Sequence, residues 1–267
     1  MRKFIPGFVL LTIVFGMPSL YAQSASSSDD NSWTGFYIGV NAGRAWKKET
    51  TALTVVNDSP NNYFNPAAIP GVNASGSTSL DANGFTGGGQ LGYNQQDGSL
   101  VWGLEGEFSY LGLNQPHGGT FTYTTSTATY NLVTSDYNPW LVTLRPRVGF
   151  AVDRWFFFGT GGLAATHSRF QQDFSEGVFT PAPMQILTAQ TKFGWTAGAG
   201  MEVALGRRVS AKGEYLFNHF RDATATGKLS GANGDSIAPG FVDGATFTNT
   251  VSSLKLNVVR FGLNFRF

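Results

Sequence analysis

Apolar and polar residues alternate most regularly in the last segment of the chain, residues 254–267. Because successive side chains of a strand point to opposite faces, five apolar residues fall on one face of an extended strand here: Val259, Phe261, Leu263, Phe265 and Phe267. Positions 260, 262, 264 and 266 on the other face are polar or glycine. The pattern predicts a strand that is apolar outside and polar inside, and a closed barrel would give this strand a partner on both edges.

Seven further segments show the same alternation. They are residues 35–46, 84–95, 100–111, 137–152, 155–166, 191–204 and 209–220. The alternation is weakest in 155–166, where Phe157, Leu163 and Ala165 are interpreted as outward. Pro139 and Pro146 each remove a donor from a strand ladder and predict two local bulges.

Short and long connections follow one another between these strands. Three short turns are predicted at 96–99, 153–154 and 205–208, and four long polar loops at 47–83, 112–136, 168–190 and 221–253. Each strand has about the ~10 residues needed to cross a bilayer. The predicted fold is all-β: an eight-stranded antiparallel up-and-down transmembrane β-barrel, with periplasmic turns, outer loops and both termini in the periplasm.

The N-terminal residues predict export. Arg2 and Lys3 precede an apolar run, and Ala22 provides a cleavage site, so residues 1–22 are interpreted as a signal peptide; cleavage after Ala25 is the alternative. Residues 23–32 are predicted to be a disordered leader, and 33–267 the barrel domain. The chain has no cysteine, so disulfides cannot stabilise the exported protein.

Composition supports a membrane barrel and excludes one class of partner. Charged residues make up 13% of the chain, against about 25% in soluble domains. The net charge of +1 and the absence of a basic arm give no electrostatic basis for nucleic-acid binding.

Nine charged residues are predicted to point into the barrel lumen. They are Glu105, Glu107, Arg145, Arg147, Lys192, Glu202, Lys212, Glu214 and Arg260. Counting from the turns places Glu105 level with Arg147, Glu107 level with Arg145, Glu202 near Lys212, and Glu214 towards Arg260. A charged pore constriction is one interpretation. A lumen-filling network is favoured, because eight strands leave room only for side chains.

Other candidate chemistry is weak. Residues 87–92 match a dinucleotide-binding pattern but lie in a predicted strand without a βαβ unit. Paired Glu105 and Glu107 have no nucleophile or histidine nearby, so no catalytic set, cofactor or metal is expected. His117, His167 and His219 are dispersed in or beside loops. Six outward aromatics predict membrane-interface girdles rather than a ligand platform: Trp102, Trp140, Trp155, Trp195, Tyr110 and Tyr215.

Two sets of residues resemble known sequences: one resembles a C-terminal signal and the other a protein family. Arg260, Gly262, Phe265 and Phe267 are similar to the C-terminal insertion signal of outer-membrane barrels. The chain also resembles the porin-like surface-antigen family of alphaproteobacteria, relatives of the OmpA-type barrel. The segments that carry this resemblance are WTGFYIG at 33–39, WGLEGE at 102–107, RVGF at 147–150, FGWTAGAGME at 193–202 and GEY at 213–215.

The resemblance implies a structural, antigenic protein of the Gram-negative outer membrane. Outer-membrane lipid and the barrel-assembly machinery would be its partners, and the long loops would be available to host or other surface ligands. A narrow porin for small solutes is the alternative, as is a surface haemin-binding protein or adhesin, since some members of the family bind haemin.

Overall fold

The computed structural model describes residues 32–58, 63–176, 184–229 and 244–267, which form thirteen strands and one short helix. The strands are β1 (Gly35–Lys48), β2 (Thr50–Asn57), β3 (Thr78–Ser79), β4 (Ala82–Asp97), β5 (Leu100–Leu113), β6 (His117–Thr122), β7 (Thr129–Val152), β8 (Trp155–Glu176), β9 (Met184–Ala204), β10 (Val209–Phe220), β11 (Ala223–Leu229), β12 (Ala245–Val251) and β13 (Lys255–Arg266); the helix is α1 (Ile69–Gly76). The all-β prediction is confirmed. The predicted signal peptide and nearly all of the predicted leader lie outside the described residues. No helix in the described part of the chain is long and apolar enough to cross a membrane.

Eight strands pair in a cycle. The order β1-β4-β5-β7-β8-β9-β10-β13 follows the chain, every ladder is antiparallel, and β13 pairs again with β1. The closing ladder runs from Tyr37 opposite Arg266 to Lys48 opposite Lys255. Sequential neighbours and one closing ladder give the up-and-down order of an antiparallel barrel.

The faces of these strands agree with the predicted alternation. Phe36 is 66% exposed and the adjacent Tyr37 only 3%, and outward Phe261 is 72% exposed beside inward Arg260 at 1%. The exposed apolar belt covers, for example, residues 36–42 of β1 and 140–150 of β7. Such a belt is stable where lipid rather than water is the surrounding solvent.

Turns and irregularities follow local chemistry. Gly98 and Asp153 adopt positive φ values of 58° and 52° in the two tightest turns. A register shift lies at Tyr137/Leu141, as predicted from Pro139. The bulge predicted at Pro146 is wrong: Pro146 stays in register opposite Leu104. The glycine run 87–92 lies inside β4, where a side chain on Gly88 would overlap the Phe108 carbonyl, so close strand approach accounts for it.

The end of the barrel that bears the long connections is folded, and here the loop predictions are wrong. We call this end the cap end and the opposite one the turn end. β7, β8 and β9 contain 24, 22 and 21 residues and continue beyond the apolar belt, and β6 pairs with the extended part of β7. Segments predicted as loops form a second sheet in the order β11-β12-β2-β3. We call these extensions, β6, α1 and the second sheet the cap.

The cap has its own apolar core. Buried residues from both sheets and α1 form it: Leu53, Val55, Phe64, Val72, Leu80, Tyr130, Leu132, Phe170, Phe174, Met184, Ile186, Ala225, Ala245, Phe247 and Val251. The ring centroids of Phe174 and Phe247 are 5.3 Å apart, and Phe64 lies 5.9 Å from each. The connections therefore pack as a soluble protein packs, around a shared interior.

We expect Phe247→Ala to destabilise the cap selectively, by about 3–5 kcal/mol, because the ring is fully buried and its loss leaves a cavity. Native-state hydrogen exchange should show faster exchange in β2 and β12 and unchanged protection in the barrel ladders. Val56→Ala is the matched control, since Val56 is 56% exposed on the same sheet. Equal protection in the two variants would contradict a packed cap core.

Candidate functional site: the closed lumen

Glu105 is the centre of the charged layer inside the barrel. Its carboxylate lies 2.5 Å from Arg145 Nη2, 3.2 Å from Arg147 Nη1 and 2.9 Å from Lys212 Nζ. The Tyr37 hydroxyl donates to its second oxygen at 2.8 Å. Strand alternation brings these groups together, because each belongs to the inward face of a different strand except the two arginines, which are alternate residues of β7. One buried carboxylate thus has three cationic partners.

Glu107 and Glu214 complete the layer on the other side. Arg145 lies 3.0 Å from Glu107 and 3.4 Å from Glu214. Arg260 contacts both carboxylates, Glu214 at 2.5 Å, and Lys212 lies 3.1 Å from Glu214. All five side chains are buried. The predicted levels of Glu107 with Arg145 and of Glu214 with Arg260 correspond to direct ion pairs.

Glu202 does not pair with Lys212, the partner predicted from its height in the barrel. It stands opposite Lys212 in the β9–β10 register, but Lys212 reaches two other carboxylates of the layer. Arg147 Nη2 donates to Glu202 at 2.6 Å instead, with Ser210 Oγ at 2.5 Å and Asn264 Nδ2 at 2.7 Å. The layer therefore holds four carboxylates and four cations, and we call these eight side chains the lumen network.

Aromatic rings close the lumen at the turn end. The Arg147 guanidinium carbon lies 4.4 Å from the ring centre of Phe158 and 4.8 Å from that of Phe156, which are cation–π distances. Trp33 packs 5.4 Å from Phe156 and is itself 1% exposed. Val101 and Ala204 belong to the same buried cluster. Buried aromatic and apolar side chains, rather than water, therefore surround the Arg147 guanidinium at this end of the lumen.

Lys192 points into the barrel as predicted, but it pairs with residues outside the lumen network. Its ammonium lies 2.8 Å from Glu49, in a second ionic cluster nearer the cap. Lys47 lies 3.4 Å from Glu49 and 3.1 Å from Asp136, and also donates to Asn138 at 2.9 Å. We call Lys47, Glu49, Asp136 and Lys192 the upper cluster. Its two cations and two carboxylates are buried.

An apolar layer separates the lumen network from much of the upper cluster. Along β1, Ala45 belongs to this layer and Lys47 follows two residues later on the same face. The layer is made of Ala45, Ala82, Leu111, Leu113, Leu141, Ala164, Leu216, Phe220, Leu254, Leu256 and Val258, each at most 4% exposed. Ionic and apolar side chains therefore succeed one another along the lumen, with buried polar residues such as Thr86 and Asn218 opposite Leu111 and Leu256 of the apolar layer.

Sequence reasoning missed three of the four upper-cluster residues. Lys47, Glu49 and Asp136 fell in segments predicted as loops, and Ser168, which donates to Asp136 at 2.6 Å, fell in a third. The available signal was the inward period of β1, which continues through Ala45 and Lys47 to Glu49. Charged residues at the end of a strand resemble the start of a loop when only the sequence is considered.

The carboxylates of Glu105, Glu107 and Glu214 lie close enough to be considered as metal ligands, with one oxygen of each within 4.8 Å of the others. Their oxygens already accept hydrogen bonds or ion pairs from Arg145, Lys212 and Arg260. Cationic side chains thus occupy the positions that an ion would take.

The predicted interface aromatics lie at both rims of the apolar belt. Trp102 and Trp155 start β5 and β8 at the turn end, and are 54% and 41% exposed. Tyr110, Trp195 and Tyr215 are 43–50% exposed nearer the cap, and Trp140 is half-buried against the His167 ring at 6.1 Å. Their girdle role stays a prediction.

The residues of the predicted insertion signal lie on both faces of β13. Arg260 lies in the lumen network, and a side chain on Gly262 would crowd the Val40 carbonyl at 2.8 Å. Phe265 and Phe267 face outward with ring centres 5.3 Å apart. Recognition of this strand by an insertion machinery stays a prediction.

The three histidines lie on separate strands, β6, β8 and β10, and the described residues bring no histidine into a metal-ligand group. His167 stacks on Trp140, and His219 lies 5.7 Å from the Trp195 ring. Two of the three rings therefore pack with rim aromatics.

Glu49, which lies beyond the apolar belt, has a perturbed acidity. Burial, with the neighbouring Asp136 carboxylate, raises the pKa of Glu49 to about 7, although Lys47 and Lys192 oppose the shift. Burial alone would also raise the pKa of Asp136, but Lys47 and hydrogen bonds lower it to about 2. One carboxylate of the upper cluster thus holds a proton more readily than the other.

We expect Glu105→Ala to lower the stability of the barrel by about 3–5 kcal/mol, because three buried cations lose a partner. Urea unfolding in detergent micelles would measure this, and planar-bilayer recordings should show no reproducible conductance steps for either protein. Leu104→Ala, on the adjacent lipid-facing position, is the control. A conductance gain with unchanged unfolding would instead indicate a pore constriction.

We expect cap stability to fall as the pH rises from about 4.5 to about 7. The folded pKa of Glu49 lies above its ordinary value of 4.5, so the folded state binds more protons in this interval. Chemical unfolding of the cap at pH 5 and pH 8 should therefore differ more in the wild type than in Glu49→Gln. Asp58→Asn, which alters a carboxylate at the cap surface, should keep the wild-type difference.

Comparison with known proteins shows which family this chain belongs to. The family model described as "Outer membrane protein beta-barrel domain" matches residues 14–267. The 31 kDa outer-membrane immunogenic protein of Brucella melitensis is 32% identical over 259 residues, 96% of this chain and 91% of that protein. The 22 kDa outer membrane protein of Rhizobium leguminosarum is 25% identical over 202 residues, 75% and 70% of the two chains. The Escherichia coli outer membrane protease OmpT superposes with a TM-score of 0.45 at 7% identity, over 87% of this chain and 97% of that one. The family resemblance predicted from sequence motifs is confirmed: this chain is a member of the outer membrane protein β-barrel family.

Proposed function

We propose that this outer-membrane protein is a non-conducting structural barrel that displays its cap outside the cell. The single observation that carries the proposal is the pairing of a filled lumen with a cap that has its own apolar core. A solute pathway would need polar space along the axis, whereas here the charges neutralise one another. A folded cap is a surface that other molecules can recognise.

Orientation follows from the lengths of the connections. In outer-membrane barrels short turns face the periplasm and long connections face outward. The turns after β4, β7 and β9 are short, and the cap is built from the long connections. Both features support an extracellular cap and periplasmic termini. The immunogenic Brucella relative supports an antigenic role for such a surface.

Two alternatives have less support. A narrow porin would have to displace the apolar layer and both ionic clusters before solute could pass. Haemin binding has less support because the three histidines, its candidate ligands, lie on three separate strands of the described structure. We assign no catalytic role, because in the described residues the acidic groups of the lumen are all held in ion pairs.

Cysteine labelling tests the orientation directly, since the chain contains no cysteine of its own. Lys228→Cys lies on β11 of the cap, where the native side chain is 73% exposed, and should react with a membrane-impermeant maleimide on intact cells. Arg208→Cys, in an exposed turn before β10, should react only after the outer membrane is disrupted. The reverse labelling pattern would refute an extracellular cap.

A further inference from the structure

The three residues before β1 lie across the turn end of the barrel. Ser32, Trp33 and Thr34 belong to no helix or strand, and the first and third of them are exposed. The Trp33 side chain between them is nevertheless buried, with its ring 5.4 Å from that of Phe156. It belongs to the buried cluster that includes Ala204 at the end of β9. We call residues 32–34 the lid.

Gly35 connects the lid to β1 and allows the chain to turn there. Its φ of 137° lies in a region that glycine adopts readily and other residues rarely adopt. A Cβ atom at this position would also lie only 3.1 Å from the backbone oxygen of Phe267. Two residues later, Tyr37 is already in regular register opposite Arg266. The change of direction is therefore confined to one residue, as in a hinge.

Gln96, near the end of β4, holds one side of the lid. The backbone N–H of Trp33 donates to Gln96 Oε1 at 2.8 Å, and the backbone N–H of Gln96 donates to Thr34 Oγ1 at 2.9 Å. The Gln96 side-chain amide also donates to the Gly98 carbonyl at 2.8 Å. The lid is thus fastened to the turn between β4 and β5.

Arg266, the last residue of β13, holds the lid from another side. Its Nη1 donates to the Ser32 carbonyl at 2.9 Å, and its Nη2 donates to the Gly206 carbonyl in the turn before β10 at 3.1 Å. The guanidinium carbon lies 4.7 Å from the centre of the Trp33 ring, a cation–π distance. One arginine therefore joins the lid to a second turn of the same end.

The closed position leaves two buried donors unsatisfied. Trp33 Nε1 and Arg266 Nε have no hydrogen-bond partner among the described residues. Each would gain a partner in water, so burial of these groups opposes closure. The hydrogen bonds that hold the lid involve side chains of Gln96, Thr34 and Arg266, and none belongs to a strand ladder. The lid can therefore open while the barrel strands stay paired.

We propose that the lid opens and closes about Gly35 and controls the access of water to the lumen network from the turn end. In the closed position, Trp33 packs in one cluster with Phe156 and Phe158, whose rings flank the Arg147 guanidinium. Opening removes the indole from this cluster and uncovers the aromatic layer over Arg147. The lid thus adds a movable seal to a barrel whose other lumen-filling residues lie on paired strands.

Thiol labelling of the detergent-purified mature protein measures the opening, because the chain contains no cysteine. Ala204→Cys places a reporter in the cluster with Trp33, and Ala164→Cys places one in the apolar layer; the native alanines are 5% and 3% exposed. A small, water-soluble methanethiosulfonate reagent should modify Ala204→Cys on the order of tenfold faster than Ala164→Cys, because local opening needs less free energy than global unfolding. Each rate is normalised to that of the same variant in denaturant. Equal normalised rates would overturn the proposal.

Gln96→Ala weakens the closed position but keeps the Trp33 ring, so its effect reports opening rather than loss of the cover. It should raise labelling of Ala204→Cys on the order of tenfold and leave Ala164→Cys unchanged. Gln95→Ala is the matched control, because the neighbouring side chain bonds to Tyr93 and to the Gln96 carbonyl and not to the lid. An equal effect of the two variants would overturn the proposal.

Gly35→Ala tests the hinge by a different route and still applies if Gln96→Ala folds poorly. Alanine disfavours the φ of the closed position, so this variant should also accelerate labelling of Ala204→Cys alone. Faster labelling of both reporters would indicate general destabilisation, and an unchanged rate at Ala204→Cys would indicate a fixed plug. Either result would overturn a movable lid.

Discussion

Confinement of charge inside a narrow ring is the constraint on which the rest of the structure depends. Eight strands leave an interior that side chains can fill, so polar groups there must satisfy one another. The lumen network balances its charges with equal numbers of cations and carboxylates, and Glu105 alone has three cationic partners, although the Nε atoms of Arg145 and Arg147 have no hydrogen-bond partner. Removing one buried charge would leave several others without a partner. The network therefore constrains β5, β7, β9, β10 and β13 together.

The sequence was sufficient to predict the barrel strands, because each of them lies between two different surroundings. Lipid on one face and a polar lumen on the other impose a period of two, which is visible at Phe261 and Arg260 and along the whole of β13. Heights counted from the turns even placed Glu105 near Arg147. The carboxylate with which each buried cation pairs could not be predicted in this way. Lys212 is opposite Glu202 yet reaches Glu105, because side-chain length and the shape of the lumen select the contact.

The cap could not be predicted from the same pattern. Outside the belt both faces of a strand can be polar or half-buried, and β2 pairs with β12, almost two hundred residues away along the chain. Short strands rich in threonine and asparagine then resemble loops when they are read one segment at a time. The extensions of β7, β8 and β9 carry the barrel ladders directly into the cap, so cap and barrel share strands. An antigenic surface built in this way depends on folding and would not be reproduced by an isolated loop peptide.

Charge balance distinguishes the inside of the barrel from its rim. In the lumen network and the upper cluster every described cation has a carboxylate within 4.0 Å, as a low-dielectric interior requires. At the margin of the belt, Lys48 stands between Lys255 of β13 on one side and Asp81, which continues the β1–β4 register, on the other, and all three side chains are exposed. Exposed charges stay solvated, so an imbalance of sign costs little there. The strict pairing of charges is therefore a property of the interior and follows from the exclusion of solvent.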